Sequence, residues 1–168
     1  MEKILNLIEE VRDFKQLKQE VLDCIQKHSI PGESNSQFML QTLVEGQEDW
    51  HTGVGRIEDL DVKLEDDYTH IQPSLKGSMI EKVLKKYNGY RARIMIMHPR
   101  NVYTVHADFT KRIHIPIVTN MNCWMVWPFN QRCYQLKAGY AYETDTTKRH
   151  TFFNGDMSET RIHIVMCI

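Results

Sequence analysis

Apolar residues recur at Ile4, Leu5, Ile8, Val11, Leu17, Val21, Leu22 and Ile25, mostly three or four positions apart, with charges between them. That spacing predicts an amphipathic helix over residues 2–28, ended by Pro31-Gly32. The segment SQFMLQTLVEG predicts a strand. From Gln47 to Gln72 the chain is polar, acidic and rich in turn residues, which predicts a loop with short strands; its run EDLDVKLEDD reads as a solvated face rather than a metal cluster. SLKGSMIEKVLKKYNGY predicts a second helix, closed by Asn88-Gly89.

From Arg91 onward the helical period disappears. Short β-rich runs follow one another at 91–97, 102–107, 111–118, 122–127, 132–136, 139–144, 149–153 and 161–167. Eight closely spaced strands with brief turns predict a sandwich or barrel, in a mainly β chain with flanking helices. No internal repeat or low-complexity linker interrupts the sequence. The expectation is one domain over 1–168, in which residues 1–90 give helical and loop support and 91–168 form the β core.

Composition narrows the function classes. The 168 residues are 42% apolar, enough for one sizeable core, and 21 basic residues stand against 22 acidic ones. With no long basic run, no nucleic-acid partner is indicated. The N-terminal segment is too charged for a signal peptide, and no apolar run has the length of a membrane span. Cys24, Cys123, Cys133 and Cys167 form no C-x-x-C unit, so they read as reduced thiols in a cytoplasmic protein.

The candidate chemistry lies among the strands. His106-Ala107-Asp108 is an H-x-D unit, and in a strand residues i and i+2 project to one face, so both side chains can address one metal. Imidazole and carboxylate suit ferrous iron, and His150 is the candidate for a second histidine that would leave a face of the metal open. H-x-D alone is a weak signal in a chain with eight histidines, and His106 also reads as a satisfied polar residue at a strand end. Arg161 follows His150 by eleven residues. With Asn154–Glu159 as a hairpin turn, His150 faces His163 and Phe152 faces Arg161, on one shared face. An arginine there can clamp a ligand carboxylate through two parallel hydrogen bonds. Arg112 and His114 follow the same i, i+2 logic, with Ile113, Ile115 and Ile117 on the opposite side. Both arginines also read as exposed strand-edge charges. His163 reads more readily as a core histidine, and Trp124 and Trp127 as packing rather than the lining of a substrate mouth.

Taken in order, YRARIMIMHPRNVYTVHAD, RIHIPIVTN, LKAGYAYETD, RHTFFNGD and ETRIHIV resemble the Fe(II)/2-oxoglutarate-dependent oxygenases, in particular the aspartyl/asparaginyl β-hydroxylase-like branch. The resemblance covers about half the chain, from Arg91 to the end. It implies a double-stranded β-helix of jelly-roll or cupin type. It implies that His106, Asp108 and His150 hold Fe(II). It implies that Arg161 takes the distal carboxylate of 2-oxoglutarate, with Arg112 and His114 as further cosubstrate contacts. Asp108 departs from those members of the branch that lack a carboxylate ligand, which leaves the substrate class open.

The reaction so implied is hydroxylation by O2, with succinate and CO2 as co-products, of a peptide side chain, an amino acid or a small metabolite. One alternative is a metal-binding cupin, an isomerase or sensor, that does not use 2-oxoglutarate. Another is a degenerate barrel without chemistry. Nothing in the sequence fixes the oligomeric state.

Overall fold

The computed structural model describes residues 3–33, 35–55 and 64–168. In chain order the elements are β1 (Leu5–Glu10), α1 (Phe14–His28), β2 (Gln37–Met39), β3 (Gln41–Thr42), β4 (His70–Ile71), α2 (Met79–Tyr87), β5 (Tyr90–Met97), β6 (Asn101–Val102), β7 (Arg112–Val118), β8 (Cys123–Trp127), β9 (Arg132–Tyr134), β10 (Tyr140–Thr144), β11 (Thr151–Asn154) and β12 (Arg161–Cys167). They gather into two compact units. One takes the described residues up to Arg12 with Ile96–Ile164, and the other takes Asp13–Met95 with Val165–Ile168, so the division falls inside β5 and β12.

The first unit is a β-sandwich. One sheet runs β1-β10-β7-β12 and the other β6-β11-β8-β9. From β9 to β12 successive strands alternate between the sheets, as they do from β6 to β8, which is a jelly-roll path. The two inner faces supply one core: Ile4, Met97, Cys123, Met125, Trp127, Leu136, Tyr142 and Phe152 pack together. Trp127 is fully buried and its indole N–H donates to the Asp145 carbonyl at 2.9 Å. Trp127 is thus core packing, as its sequence suggested, whereas Trp124 is only partly buried.

Asn154 closes β11 from a fully buried position. Its amide donates to the carbonyls of Met97 (3.2 Å) and Glu159 (2.8 Å), and its carbonyl accepts from the Asp156 N–H (3.2 Å). An alanine here strands these buried groups, so Asn154→Ala is expected to cost about 1–3 kcal/mol. Urea unfolding measures this directly, and a loss within ~0.5 kcal/mol, typical of an unremarkable surface site, would contradict it.

The second unit holds both helices. Glu20 of α1 accepts from the N–H groups of Met79 (2.7 Å) and Ile80 (3.1 Å), and Ser78 accepts from the Glu81 N–H (3.0 Å). Three of the four N–H groups left open at the start of α2 are thereby satisfied. Asn88, left-handed at φ 49°, ends the helix where the sequence placed its stop. β2 pairs antiparallel with β5, and β3 with β4. Arg91 is buried and bonded to Glu65 and to the carbonyls of Gly53 and Gly55.

The N-terminus corrects the helix expected over 2–28. Residues Leu5–Glu10 form β1, and the helix starts only at Phe14, after Asp13 at φ 52°. The apolar spacing of Ile4, Leu5, Ile8 and Val11 fits a helix locally. The free edge of β10 decides otherwise: Leu5 pairs with Thr144 and Leu7 with Tyr142, and Ile4 sinks into the sandwich core. Long-range pairing here overrides local periodicity. SQFMLQTLVEG likewise divides into β2 and β3 rather than one strand. Residue 2 of the expected helix, and residues 58–63 of the acidic run, lie outside the described residues.

Candidate metal centre and anion clamp

A single antiparallel bridge brings the two candidate histidines together. The His106 N–H donates to the His150 carbonyl at 3.0 Å, and the His150 N–H to the His106 carbonyl at 2.7 Å. The Asp108 N–H donates to the Thr146 carbonyl at 2.9 Å, which fixes the third residue on the same side of the loop. The imidazole centroids stand 4.6 Å apart. Both candidate histidines lie just outside regular strands, His106 beyond β6 and His150 before β11.

The orientation of the rings follows from their Nδ1 bonds. His106 Nδ1 meets the Thr104 carbonyl at 2.7 Å, and His150 Nδ1 meets the Lys148 carbonyl at 3.0 Å. A carbonyl only accepts, so each Nδ1 carries the proton and each Nε2 keeps its lone pair. Those Nε2 atoms lie 3.9 Å (His106) and 3.8 Å (His150) from the Asp108 carboxylate oxygens. One donor atom from each of the three residues falls within 4.8 Å of the others. His150 is buried, whereas the His106 side chain is 41% exposed and that of Asp108 23%, so one side of the cluster faces solution. Burial lowers the His150 pKa against the opposing pull of the Lys148 carbonyl and Asp108, which favours the neutral imidazole that a metal requires.

Arg112, buried at the start of β7, places Nε 3.3 Å from Asp108 Oδ2. It is not an exposed edge charge. It is a cation set against the Asp108 carboxylate. His114, two residues on, points into the same interior, its Nδ1 3.5 Å from His163 Nδ1.

Arg161 and His163 lie at i and i+2 on β12 and are both fully buried. The Arg161 guanidinium sits 3.7 Å above the Phe152 ring and donates from Nη2 to His163 Nδ1 at 2.6 Å. Its Nε and Nη1 have no partner among the described residues, and no carboxylate among them pairs with it. Burial pulls its pKa down to about 10, which still leaves it charged at neutral pH. An ion buried without a counter-charge is costly, and a buried cation with open donors is the mark of a site for an anion.

The shared face expected of His150, Phe152, Arg161 and His163 is present in part, but not through a hairpin. β11 lies between β6 and β8, and β12 lies in the other sheet. Phe152 meets Arg161 and His163 across the sandwich, with a ring-centroid distance of 5.3 Å to His163. Two sheets packed face to face bring such residues opposite one another without any shared ladder. The role of Phe152 beneath the guanidinium and the pairing of Arg112 with Asp108 were not read from the sequence. For Phe152 the available signal was its i, i+2 spacing from His150; Arg112 reaches Asp108 across a bend at residues 109–110, for which spacing gives no signal.

These residues fit the groups implied by the resemblance. Two imidazoles with fixed Nδ1–H bonds and one carboxylate are a donor set for ferrous iron. The unpaired donors of Arg161 are a match for a carboxylate of 2-oxoglutarate. His106, Asp108 and His150 would hold the metal, and Arg161 the distal end of the cosubstrate.

No family model and no curated protein matches the chain. Among solved structures it is similar to the viral collagen prolyl hydroxylase vCPH from Paramecium Bursaria Chlorella virus-1 in its 2OG complex. That match has a TM-score of 0.55 and 11% identity, and covers 99% of this chain and 97% of that one. A truncated form of the same hydroxylase matches at a TM-score of 0.55 and 11% identity, over 99% of this chain and 90% of that one. The chain therefore shares a jelly-roll, or double-stranded β-helix, fold with this viral hydroxylase.

Proposed function

We propose that this chain is an Fe(II)- and 2-oxoglutarate-dependent dioxygenase that hydroxylates a peptide side chain, an amino acid or a small metabolite, releasing succinate and CO2. The aspartyl/asparaginyl β-hydroxylase-like branch, and a cytoplasmic setting, belong to the same reading; among the described residues no helix is long and apolar enough to cross a membrane. The observation that carries the reading is the buried Arg161, with no carboxylate partner among the described residues, in the same sandwich as a His-Asp-His cluster. A cupin that uses only a metal has no need of that cation, and a barrel without chemistry has no need of either feature.

The roles divide as follows. His106 and His150 present Nε2, and Asp108 a carboxylate oxygen, to one metal position. Arg112 holds Asp108 from behind. Arg161 binds a carboxylate in a dry interior, where a charge-assisted hydrogen bond is strongest. When bound, iron with 2-oxoglutarate supplies the activation of O2 that hydroxylation of a C–H bond requires. The partly exposed side of His106 and Asp108 leaves the approach for the primary substrate.

The test is succinate formation from 2-oxoglutarate with Fe(II) and ascorbate, run with pools of peptides and metabolites. The expected result is iron-dependent succinate release that rises with at least one pool. Metal binding without succinate from any pool would favour the cupin reading instead.

A further inference from the structure

His163 has no place in the metal triad, and its sequence suggested a core histidine. Its surroundings say more. A guanidinium only donates, so the His163 Nδ1 that meets Arg161 Nη2 at 2.6 Å must be the unprotonated nitrogen. His163 is therefore a neutral acceptor. Proteins usually fix a buried arginine with a carboxylate, and that would cancel its charge locally. Here the fixing group is uncharged. Arg161 is held at one nitrogen by His163 and on one face by Phe152, yet keeps its full charge and two donor nitrogens open among the described residues. His114 and Phe152 pack around the His163 ring, with centroids 5.7 and 5.3 Å away, and restrain the acceptor in turn.

We propose that His163 is a positioning residue for the ligand carboxylate: it holds the Arg161 guanidinium through a neutral acceptor, so that the charge remains available to the incoming anion. This rests on the oxygenase reading for the identity of that anion, 2-oxoglutarate. It also explains why a histidine rather than an aspartate or a leucine stands at i+2 from the arginine. Leucine would leave the guanidinium loose, and aspartate would hold it but neutralise it.

Three variants separate these effects. His163→Asn offers a neutral oxygen acceptor, His163→Leu removes the acceptor, and His163→Asp keeps an acceptor while adding a negative charge. Binding of 2-oxoglutarate to the Mn(II)-loaded full chain is measured by calorimetry, and the mobility of the Arg161 Nε–H by NMR relaxation. Retained Mn(II) binding and a cooperative melt show that each variant is folded. The expected outcome is near-wild-type affinity for the asparagine variant. The leucine variant should bind about ten- to a hundred-fold more weakly, with Arg161 mobile. The aspartate variant should lose at least as much affinity with Arg161 rigid. Wild-type affinity in the leucine variant, or in the aspartate variant, overturns the proposal. If wild-type protein itself does not bind 2-oxoglutarate, the oxygenase reading fails and with it the identity of the anion. The NMR measurement then still decides whether His163 holds the guanidinium, since equal Arg161 mobility in wild type and the leucine variant would refute it.

Discussion

Replacing His106 with alanine is expected to abolish metal retention while leaving the protein folded and nearly as stable. The side chain is 41% exposed, and its Nδ1 bond runs only to the nearby Thr104 carbonyl. Deleting such a group costs within ~0.5 kcal/mol of stability. The effect on metal is of another order. Losing a partner behind a ligand already weakens metal binding by roughly 10–100-fold, and loss of one of three ligands should exceed that. His150→Ala should lose metal equally. It should also destabilise the apo protein measurably, because that ring is buried beside Trp127, at a centroid distance of 6.3 Å. Equilibrium dialysis against Mn(II), paired with thermal melts, reads both quantities. An His106→Ala variant that keeps wild-type Mn(II) affinity would remove His106 from the triad.

The second large effect is a division between stability and function at Arg161. Arg161→Met removes a buried cation that no carboxylate among the described residues compensates and fills the space with an apolar side chain of comparable length. Replacing buried ionic groups by apolar ones is often neutral or stabilising, by about 1–4 kcal/mol. The opposing cost is the acceptor left open on His163, about 1–3 kcal/mol. The two largely offset one another, so the ligand-free variant should melt within a few degrees of wild type. Binding of 2-oxoglutarate should meanwhile weaken by at least ten-fold, the scale of a lost charge-assisted hydrogen bond of ~1.5–3 kcal/mol. A variant that unfolds several degrees earlier would mean that Arg161 is structural. One that binds 2-oxoglutarate like wild type would mean that the clamp lies elsewhere.

Some of this was legible from residues alone, and some was not, for physical reasons. The strands after Arg91 stood out because alternation and turn residues are local signals, and β5, β7 and β12 lie almost where the sequence put them. The H-x-D unit could be singled out because two candidate ligands sit within three residues. His150 could be named only as a candidate, since nothing local joins it to His106; the bridge between them closes over more than forty residues. The helix start failed for the same reason in reverse. Residues 5–10 carry a helix-like apolar spacing, and only the distant edge of β10 makes them a strand. The supposed hairpin of β11 and β12 placed Phe152 and Arg161 face to face correctly, but by the wrong connection, because a short turn signal does not say whether the chain stays in its sheet or crosses to the other. The acceptor role of His163 depends on which ring nitrogen meets Arg161, and spacing cannot encode that.

The most direct measurement of the central claim is a calorimetric titration of 2-oxoglutarate into the wild-type protein, with and without Mn(II) in place of iron. If His106, Asp108 and His150 hold the metal and Arg161 takes the far carboxylate, the metal-loaded protein binds one equivalent and the metal-free protein binds it far more weakly. Absence of binding in the presence of Mn(II), or binding that ignores the metal, would contradict the account.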